Sequence, residues 1–337
     1  MNHSEPYLSL AAALLAVPLA SAVTWAIRPL MLRHALAKPN ARSSHRIPTP
    51  QGAGIAVIAA TLIAAGAVIA FAGPPDMKIP AIVFAATLFI AAVGFADDVH
   101  SIPVLPRLLL QAAAVAAIVF TSPDSLRIVD ALPLWLERSL VLVAGLWFVN
   151  LVNFMDGLDL MTVAEAVPVS AAIALLGWLG EVPASATITA AALCGALLGF
   201  TPFNRPVAKI FLGDVGSLPI GLLLGWGLLQ LAWQQQFAAC VLLPLYYLTD
   251  ATVTLVRRMI KREPFWAAHR SHYYQRATDN GFTVWQVVRE VFALNVGLAA
   301  LAIASTRLQS PLIALLLVAA GALAVVLVLY RFSRPKR

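Results

Sequence analysis

The sequence predicts an all-α, polytopic integral membrane protein with about eleven transmembrane helices. Of its 337 residues, 61% are hydrophobic and only 12% are charged, and the mean hydropathy is +0.84. These values lie outside the range of soluble globular domains. A bilayer core of about 30 Å needs roughly 20 apolar residues per helical crossing, and stretches of that length recur along the whole chain. Strands of a membrane barrel would be shorter and alternating, so helices are predicted.

The apolar stretches define the predicted spans, which form one transmembrane domain covering 1–337. We expect the first span to be a retained helix, because no Lys or Arg precedes it and a signal peptide needs a basic start. The spans lie at 7–27, 53–72, 80–96, 107–122, 134–151, 162–180, 186–203, 217–233, 237–256, 287–305 and 311–330.

The distribution of Lys and Arg predicts the orientation. Four of the 23 Lys and Arg residues lie in loops at one end of the predicted bundle, and the other 19 lie in or beside the loops at the opposite end. Positively charged loops stay in the cytoplasm, which puts the N-terminus outside and the C-terminus inside. The same rule explains the net charge of +7, and we expect no nucleic-acid partner. The predicted cytoplasmic loops are 28–52, 97–106, 150–161, 204–217 and 257–286.

Acidic and amide side chains recur in these loops. Asp97 and Asp98 end an apolar stretch, where adjacent carboxylates are either a solvated helix end or a metal-binding or acid–base pair. Asn153, Asp156 and Asp159 recur every three residues, so on a helix they would share one face. Their oxygens are suitable ligands for Mg²⁺; the alternative is a capped, polar helix junction.

Two further motifs suit phosphate binding. Gly213, Asp214 and Ser217 precede an apolar stretch, where the N–H groups of a helix start bind anions, or where Asp214 or Ser217 merely caps the helix. His269-Arg-Ser-His272 follows a basic run at 257–262. Imidazole and guanidinium groups bind phosphate oxygens, whereas the basic run is explained by topology and lipid headgroups. A zinc site at the histidines lacks the usual Cys or Glu.

Together these motifs suit phosphoryl transfer, which depends on positioning and on charge neutralisation. Because they cluster at the membrane edge, we expect one substrate to be a lipid. A transporter would instead carry charges near its helix centres. Asp250, within the span 237–256, is the main such residue, and we expect it to face the cytoplasmic cavity. A structural scaffold would leave the clustering unexplained.

The loops resemble those of the polyprenyl-phosphate N-acetylhexosamine-1-phosphate transferases, or glycosyltransferase family 4. That family includes the phospho-N-acetylmuramoyl-pentapeptide transferase and the enzymes that initiate O-antigen synthesis. The resemblance runs from Lys38 to His272 through five motifs in the family's order. Asn-Ala-Arg-Ser-Ser-His with Pro-Thr-Pro, and His-Arg-Ser-His-Tyr-Tyr-Gln, are similar to the O-antigen branch. The resemblance implies ten or eleven helices and a cytoplasmic active site.

The resemblance also implies roles for individual residues. The acidic pair would engage the polyprenyl phosphate, the next acidic run would shape the nucleotide pocket, and the histidine loop would contact the donor. The predicted catalytic residues are Asp97, Asp98, Asp156 and Asp159, and the predicted metal ligands are Asn153 and Asp214. The predicted substrate-binding residues are Lys38, Asn40, Arg42, His45, Asn150, Gly213, Ser217, His269, Arg270 and His272.

The chain departs from the family pattern in three places. Gln51-Gly-Ala-Gly54 stands where the family often has Arg-Gly-Gly-Gly, and Leu160 stands where a glycine often follows the second Asp. Both leave the identity of the donor sugar open. The triple histidine of the pentapeptide transferase is absent, which argues against the peptidoglycan enzyme.

The leading hypothesis is therefore a transferase in the bacterial inner membrane that begins O-antigen-like polysaccharide synthesis. It would move a sugar-1-phosphate from UDP-GlcNAc, or from a UDP-6-deoxy-N-acetylhexosamine, to undecaprenyl phosphate and release UMP. The expected cofactor is Mg²⁺, with Mn²⁺ as an alternative. The alternative function is that of a phospho-N-acetylmuramoyl-pentapeptide transferase. Membrane lipids are expected partners, and a homodimer is left open.

Overall fold

The computed structural model of the protein describes residues 5–37, 48–74, 77–264, 269–308 and 310–336. Within these ranges, two short antiparallel strands, β1 (Leu36–Ala37) and β2 (Thr49–Pro50), accompany an otherwise helical chain. The helices are α1 (Glu5–His34), α2 (Gly54–Phe71), α3 (Ala81–Val99), α4 (Val104–Thr121), α5 (Leu134–Met155), α6 (Met161–Trp178), α7 (Ala184–Phe200), α8 (Asp214–Trp233), α9 (Phe237–Leu242), α10 (Leu245–Ile260), α11 (Tyr273–Asp279), α12 (Val284–Leu308) and α13 (Pro311–Phe332).

The all-α membrane fold is confirmed. Ten helices in the described part of the chain are long and apolar enough to cross a membrane, namely α1 to α8, α12 and α13. Each corresponds to one predicted span, and α5 and α8 include motif residues that were expected to lie in loops or at a helix start.

The predicted span 237–256 is not one continuous helix. It divides into α9 and α10, with a break at Leu243 and Pro244. Proline has no backbone N–H to donate, and a break at membrane depth is tolerated where protein surrounds it. Leu242 and Leu243 are almost completely buried, so protein surrounds the break. In the predicted topology, α9 and α10 together would form the ninth of the eleven crossings.

The interior of the bundle consists of α6, α7 and α8. About four fifths of the residues of α6 and α8 are buried inside the protein, whereas α1 and α13 are mostly exposed and would face lipid. α8 packs against α2, α3, α5, α6 and α7. Its first residue, Asp214, therefore lies where the helices that carry the predicted motifs converge.

Two glycine contacts allow this convergence. A Cβ atom on Gly54 would lie 2.2 Å from the Cα atom of Gly216, so α2 and α8 touch backbone to backbone. A Cβ atom on Gly94 would lie 2.3 Å from the backbone oxygen of Asp214, which brings α3 equally close. Small residues permit such close approach of membrane helices.

The segment around Gln51 is also fixed against the start of α8. The N–H of Phe211 donates to Pro50 O at 2.8 Å, and the N–H groups of Gly52 and Ala53 donate back to Phe211 O at 3.1 and 3.0 Å. The Gln51 side chain donates to the backbone oxygen of Asp98 at 2.9 Å. The motif that begins at Pro48 thus packs on the loop that precedes Asp214.

Candidate active site

Asp98 caps the N-terminus of α8. Its Oδ1 accepts a hydrogen bond from the N–H of Asp214 at 2.9 Å, and its Oδ2 accepts one from the N–H of Val215 at 3.0 Å. Gly213 has a φ of 77°, and a Cβ atom there would lie 2.5 Å from Asp98 Oδ2. Only glycine suits both the left-handed backbone and the space.

This arrangement bears on the predicted phosphate cradle. The N–H groups of Gly216 and Ser217 donate to Gly213 O, both at 3.0 Å. With the two bonds to Asp98, the first four N–H groups of α8 donate to the protein's own oxygens. None of these four N–H groups is therefore left over to bind a phosphate. Substrate binding by Gly213 and Ser217 stays a prediction.

Asp97, the residue before Asp98, makes different contacts. Its Oδ2 forms an ion pair with Arg107 Nη1 on α4 at 2.6 Å, and its Oδ1 accepts from the N–H of Ile102, also at 2.6 Å. The carboxyl of Asp97 lies within hydrogen-bonding reach of the carboxyl of Asp214. Two carboxylates this close repel each other unless a proton or a cation lies between them.

Asn153 lies beside the same carboxyl. Its Nδ2 donates to Asp214 Oδ1 at 2.7 Å and to Ser217 Oγ at 2.9 Å. The structure therefore brings the two predicted metal ligands into direct contact, although they are 61 positions apart in sequence.

Asp156 and Asp159 do not continue the helix face of Asn153, and that expectation is wrong. α5 ends at Met155, and Asp156 is the C-cap residue. Asp156 Oδ1 accepts from Thr162 Oγ1 at 2.5 Å, while Asp159 Oδ2 accepts from the N–H of Ala208 at 3.1 Å. The two carboxylates hold the turn between α5 and α6 instead of forming a row.

The charge environment of Asp156 is unusual. Desolvation of its carboxyl raises the pKa of Asp156 to about 7; the negative charges of Asp214 and Asp159 act in the same direction, and the Thr162 hydrogen bond opposes them. Near neutral pH this carboxyl is thus close to half protonated and could exchange a proton.

Asn150 lies apart from these residues. It is buried in α5, and its Nδ2 donates to Gln111 Oε1 on α4 at 2.7 Å and to Leu146 O at 2.8 Å. The contact to Gln111 joins two helices inside the bundle. Its predicted role in substrate binding is untested.

The histidine loop is organised by Asp250, which does not face an open cavity as expected. Asp250 is fully buried. Its Oδ1 accepts from the N–H of Tyr273 at 3.0 Å, and its Oδ2 accepts from the N–H of Tyr274 at 3.1 Å. His272 Nδ1 lies 3.3 Å from Asp250 Oδ1, and the His269 and His272 rings lie 5.0 Å apart. A carboxylate of α10 therefore caps α11 and orients His272.

Tyr274 connects the histidine loop to the acidic residues. Its hydroxyl donates to Phe154 O at 3.0 Å, and a Cβ atom on Gly157 would lie 2.2 Å from that hydroxyl oxygen. α11 thus packs directly on the turn that carries Asp156. The sequence analysis quoted Tyr274 within His-Arg-Ser-His-Tyr-Tyr-Gln but predicted no role for it.

Arg270 faces the basic run. Its Nη2 donates to Thr278 Oγ1 at 2.8 Å and pairs with Asp279 Oδ1 at 3.1 Å. Its side chain lines a cavity together with Arg257, Arg258 and other residues. Arg270 and residues of the basic run therefore line one cavity, while substrate binding by Arg270 and the topological role of the basic run stay predictions.

Three points complete the comparison with the predicted site. Lys38, Asn40, Arg42 and His45 lie outside the described residues. Within those described, no group of three or more His, Cys, Asp or Glu side chains is arranged as a metal site. Mg²⁺ typically takes only one or two carboxylates and completes its shell with phosphates and water, so the predicted metal ligands stay a prediction.

Comparisons with known proteins show which family the chain resembles. Residues 80–232 match the family described as glycosyl transferase family 4. The chain is 27% identical to the phospho-N-acetylmuramoyl-pentapeptide-transferase of Rhodopseudomonas palustris (strain BisA53) over 330 residues, which cover 85% of this chain and 89% of that protein. The protein of the same name from Desulforamulus reducens (strain ATCC BAA-1160 / DSM 100696 / MI-1) is 29% identical over 276 residues, covering 73% and 79%.

A third relative with that name, from Shouchella clausii (strain KSM-K16), is 31% identical over 192 residues, covering 51% of this chain and 58% of that protein. The matched family segment contains every acidic and amide residue of the predicted site from Asp97 to Asp214. The chain is a multi-pass membrane protein that is similar to glycosyl transferase family 4 over residues 80–232 and to phospho-N-acetylmuramoyl-pentapeptide transferases over most of its length.

Proposed function

We propose that this protein transfers a sugar-1-phosphate from a UDP-linked N-acetylated sugar to undecaprenyl phosphate, with release of UMP. The observation that carries the proposal is the cluster of Asp97, Asp98, Asn153 and Asp214, drawn from three helices to one end of a membrane bundle. The basic loops at the same end support a site that faces the cytoplasm of a bacterial inner membrane.

The acidic cluster fits a divalent cation. The carboxyls of Asp97 and Asp214 lie close together, and the single guanidinium of Arg107 faces both of them. Asn153 presents its amide nitrogen to Asp214, so ligation through its oxygen requires that the amide rotate. Mg²⁺ (or Mn²⁺) held by Asp214 and Asn153 would neutralise charge on the donor diphosphate.

The protein's own groups would perform the remaining tasks. Asp98 fixes the start of α8 and hence the position of Asp214. Asp97, held by Arg107, would orient the phosphate of the lipid acceptor; that phosphate is largely ionised at neutral pH because its second pKa is about 6. Asp156, with its raised pKa, would exchange a proton with the donor or with the leaving UMP.

The donor is the open part of the proposal. The names of the relatives favour a UDP-N-acetylmuramoyl-pentapeptide donor over the UDP-N-acetylhexosamine that the sequence motifs suggested. One observation favours the smaller donor. The histidine loop has His269-Arg-Ser-His272, and the triple histidine of the pentapeptide transferase is absent from this sequence.

A donor panel tests the function. Purified protein would be incubated with undecaprenyl phosphate, Mg²⁺ and UDP-GlcNAc, UDP-FucNAc, UDP-QuiNAc or UDP-MurNAc-pentapeptide, and the release of UMP would be measured. We expect one donor to dominate. The absence of UMP release with every donor would contradict the transferase proposal, and flux of an ion or solute in proteoliposomes would then favour a transporter.

A pair of variants tests the acidic cluster. We expect Asp214→Asn to lower UMP release by at least about a hundredfold, because a charge that neutralises the diphosphate is lost. Asp130→Asn, an exposed aspartate outside the predicted site, is the matched control and should keep full activity. Wild-type turnover in Asp214→Asn would remove Asp214 from the mechanism.

A further inference from the structure

A second charged region lies at the end of α10, outside the acidic cluster. It is a cavity of about 270 Å³ between α10, the following loop and α11. The acidic cluster, in contrast, is built from α3, α5 and α8. The cavity wall contains one carboxylate and five cations, which are Glu263, Arg257, Arg258, Lys261, Arg270 and Arg276.

The cations of this wall outnumber the nearby carboxylates. Glu263 pairs with Arg258 at 2.8 Å, and Asp279, just outside the wall, pairs with Arg270 at 3.1 Å. Asp250, behind the wall, accepts from Thr254 at 3.2 Å, and with all three carboxylates counted the cations are in excess by two. Like charges gathered around one small cavity repel each other, so an anion in the cavity would stabilise this arrangement.

Arg258 shows that the cavity is more than a solvated basic surface. Its side chain is 10% exposed, and its Nη atoms bond to Glu263, Ser271 Oγ and Pro264 O. Its Nε is buried without a hydrogen-bond partner. A buried guanidinium held by three groups is a preorganised donor, which costs little further ordering when an anion binds.

The surroundings indicate what kind of anion can reach the cavity. α10 carries exposed apolar side chains along its outer surface, at Val253, Val256, Met259 and Ile260. Such a surface beside a charged helix end is typical of the level at which hydrocarbon meets lipid headgroups. The cavity is thus reachable both from headgroups and from water.

We infer that this cavity is a phosphate-binding site distinct from the acidic cluster, and that it takes a phosphate group of an anionic phospholipid or a free phosphate. The guanidinium and ammonium groups of its wall supply the donors that phosphate oxygens need. Its occupant would fix Arg270 and α11, and hence the loop that Asp250 holds. The inference goes beyond the proposed function and is tested by binding alone.

The test measures the melting temperature of the full-length protein in nanodiscs. One arm compares phosphatidylcholine with a phosphatidylcholine–phosphatidylglycerol mixture; the other titrates inorganic phosphate into phosphatidylcholine discs against chloride of equal ionic strength. The cavity variant is Arg257→Gln/Lys261→Gln. The control, Arg205→Gln/Arg262→Gln, removes the same charge from exposed positions that do not line the cavity.

We expect stabilisation in at least one arm, with affinity roughly tenfold or more weaker in the cavity variant and unchanged in the control. Stabilisation by the lipid mixture alone identifies a headgroup, and stabilisation by phosphate identifies a soluble anion. The inference is overturned if neither probe stabilises the wild type, or if both variants lose binding equally. Lys261→Gln alone, at an exposed residue, replaces the double variant should that fail to fold. UMP release is assayed separately, so the two proposals can fail independently.

Discussion

Removal of the Asp98 carboxyl should destabilise the protein as well as lower its activity. Asp98→Ala leaves the N–H groups of Asp214 and Val215, now bonded at 2.9 and 3.0 Å, without their acceptor. A buried donor left without its partner costs about 1–3 kcal/mol, and the loss of an N-cap side chain adds about 0.5–2 kcal/mol. Partial access of water to the site reduces the total, so we expect a loss of about 3–5 kcal/mol.

The assay is thermal unfolding in a neutral detergent, with UMP release measured on the same samples. At about 2 °C per kcal/mol for a chain of this size, Asp98→Ala should lower the melting temperature by roughly 6–10 °C. Asp98→Asn keeps one acceptor oxygen, so its melting temperature should lie between those of Asp98→Ala and the wild type. Asp130→Asn should melt at the wild-type temperature. An unchanged melting temperature with lost turnover would refute the capping role and favour a purely catalytic Asp98.

Three further predictions concern the other half of the site and the turn after α5. Asp250→Ala should release α11 and speed proteolysis of the loop after α10; unchanged cleavage would contradict the capping role. Leu160 is buried with a φ of 62°. Leu160→Gly should relieve about 1 kcal/mol of backbone strain but lose about 2–3 kcal/mol of hydrophobic burial. The melting temperature should therefore fall, and a higher melting temperature would contradict the prediction. The raised pKa of Asp156 means that the folded state binds more protons between about pH 4 and 7, so stability should fall as pH rises through that window. Melting curves with a chelator present should show a flatter slope in Asp156→Asn, and an equal slope would contradict the assignment.

Much of the fold could be predicted because bilayer thickness sets helix length. Ten apolar stretches became helices, and Asp97 and Asp98 lie in the last turn of α3 as expected. The break at Pro244 could not be predicted. α6 and α8 contain Pro168 and Pro219 without breaking, so a proline alone is no guide.

The roles of the carboxylates were harder to predict than their proximity. A glycine-rich helix start such as Gly213 to Ser217 predicts an anion, yet the sequence does not say whether that anion is a ligand or a side chain. Here the carboxylate of Asp98, 116 positions away, supplies it. The prediction that Asn153, Asp156 and Asp159 share one helix face was wrong for a similar reason. α5 ends where Tyr274, distant in sequence, packs against Gly157.

The backbone contacts of Gly54 and Gly94 with the start of α8 have a consequence for motion. Helices that touch through their backbones have no side-chain layer that could rearrange, so α2, α3 and α8 should move as one unit. The acidic cluster is then a fixed frame to which substrates must fit. α10 and α11 instead pack on the bundle through side chains, among them the fully buried Tyr246, Tyr247 and Tyr274, and contacts of this kind can rearrange. We therefore expect opening and closing over bound substrates to occur on that side.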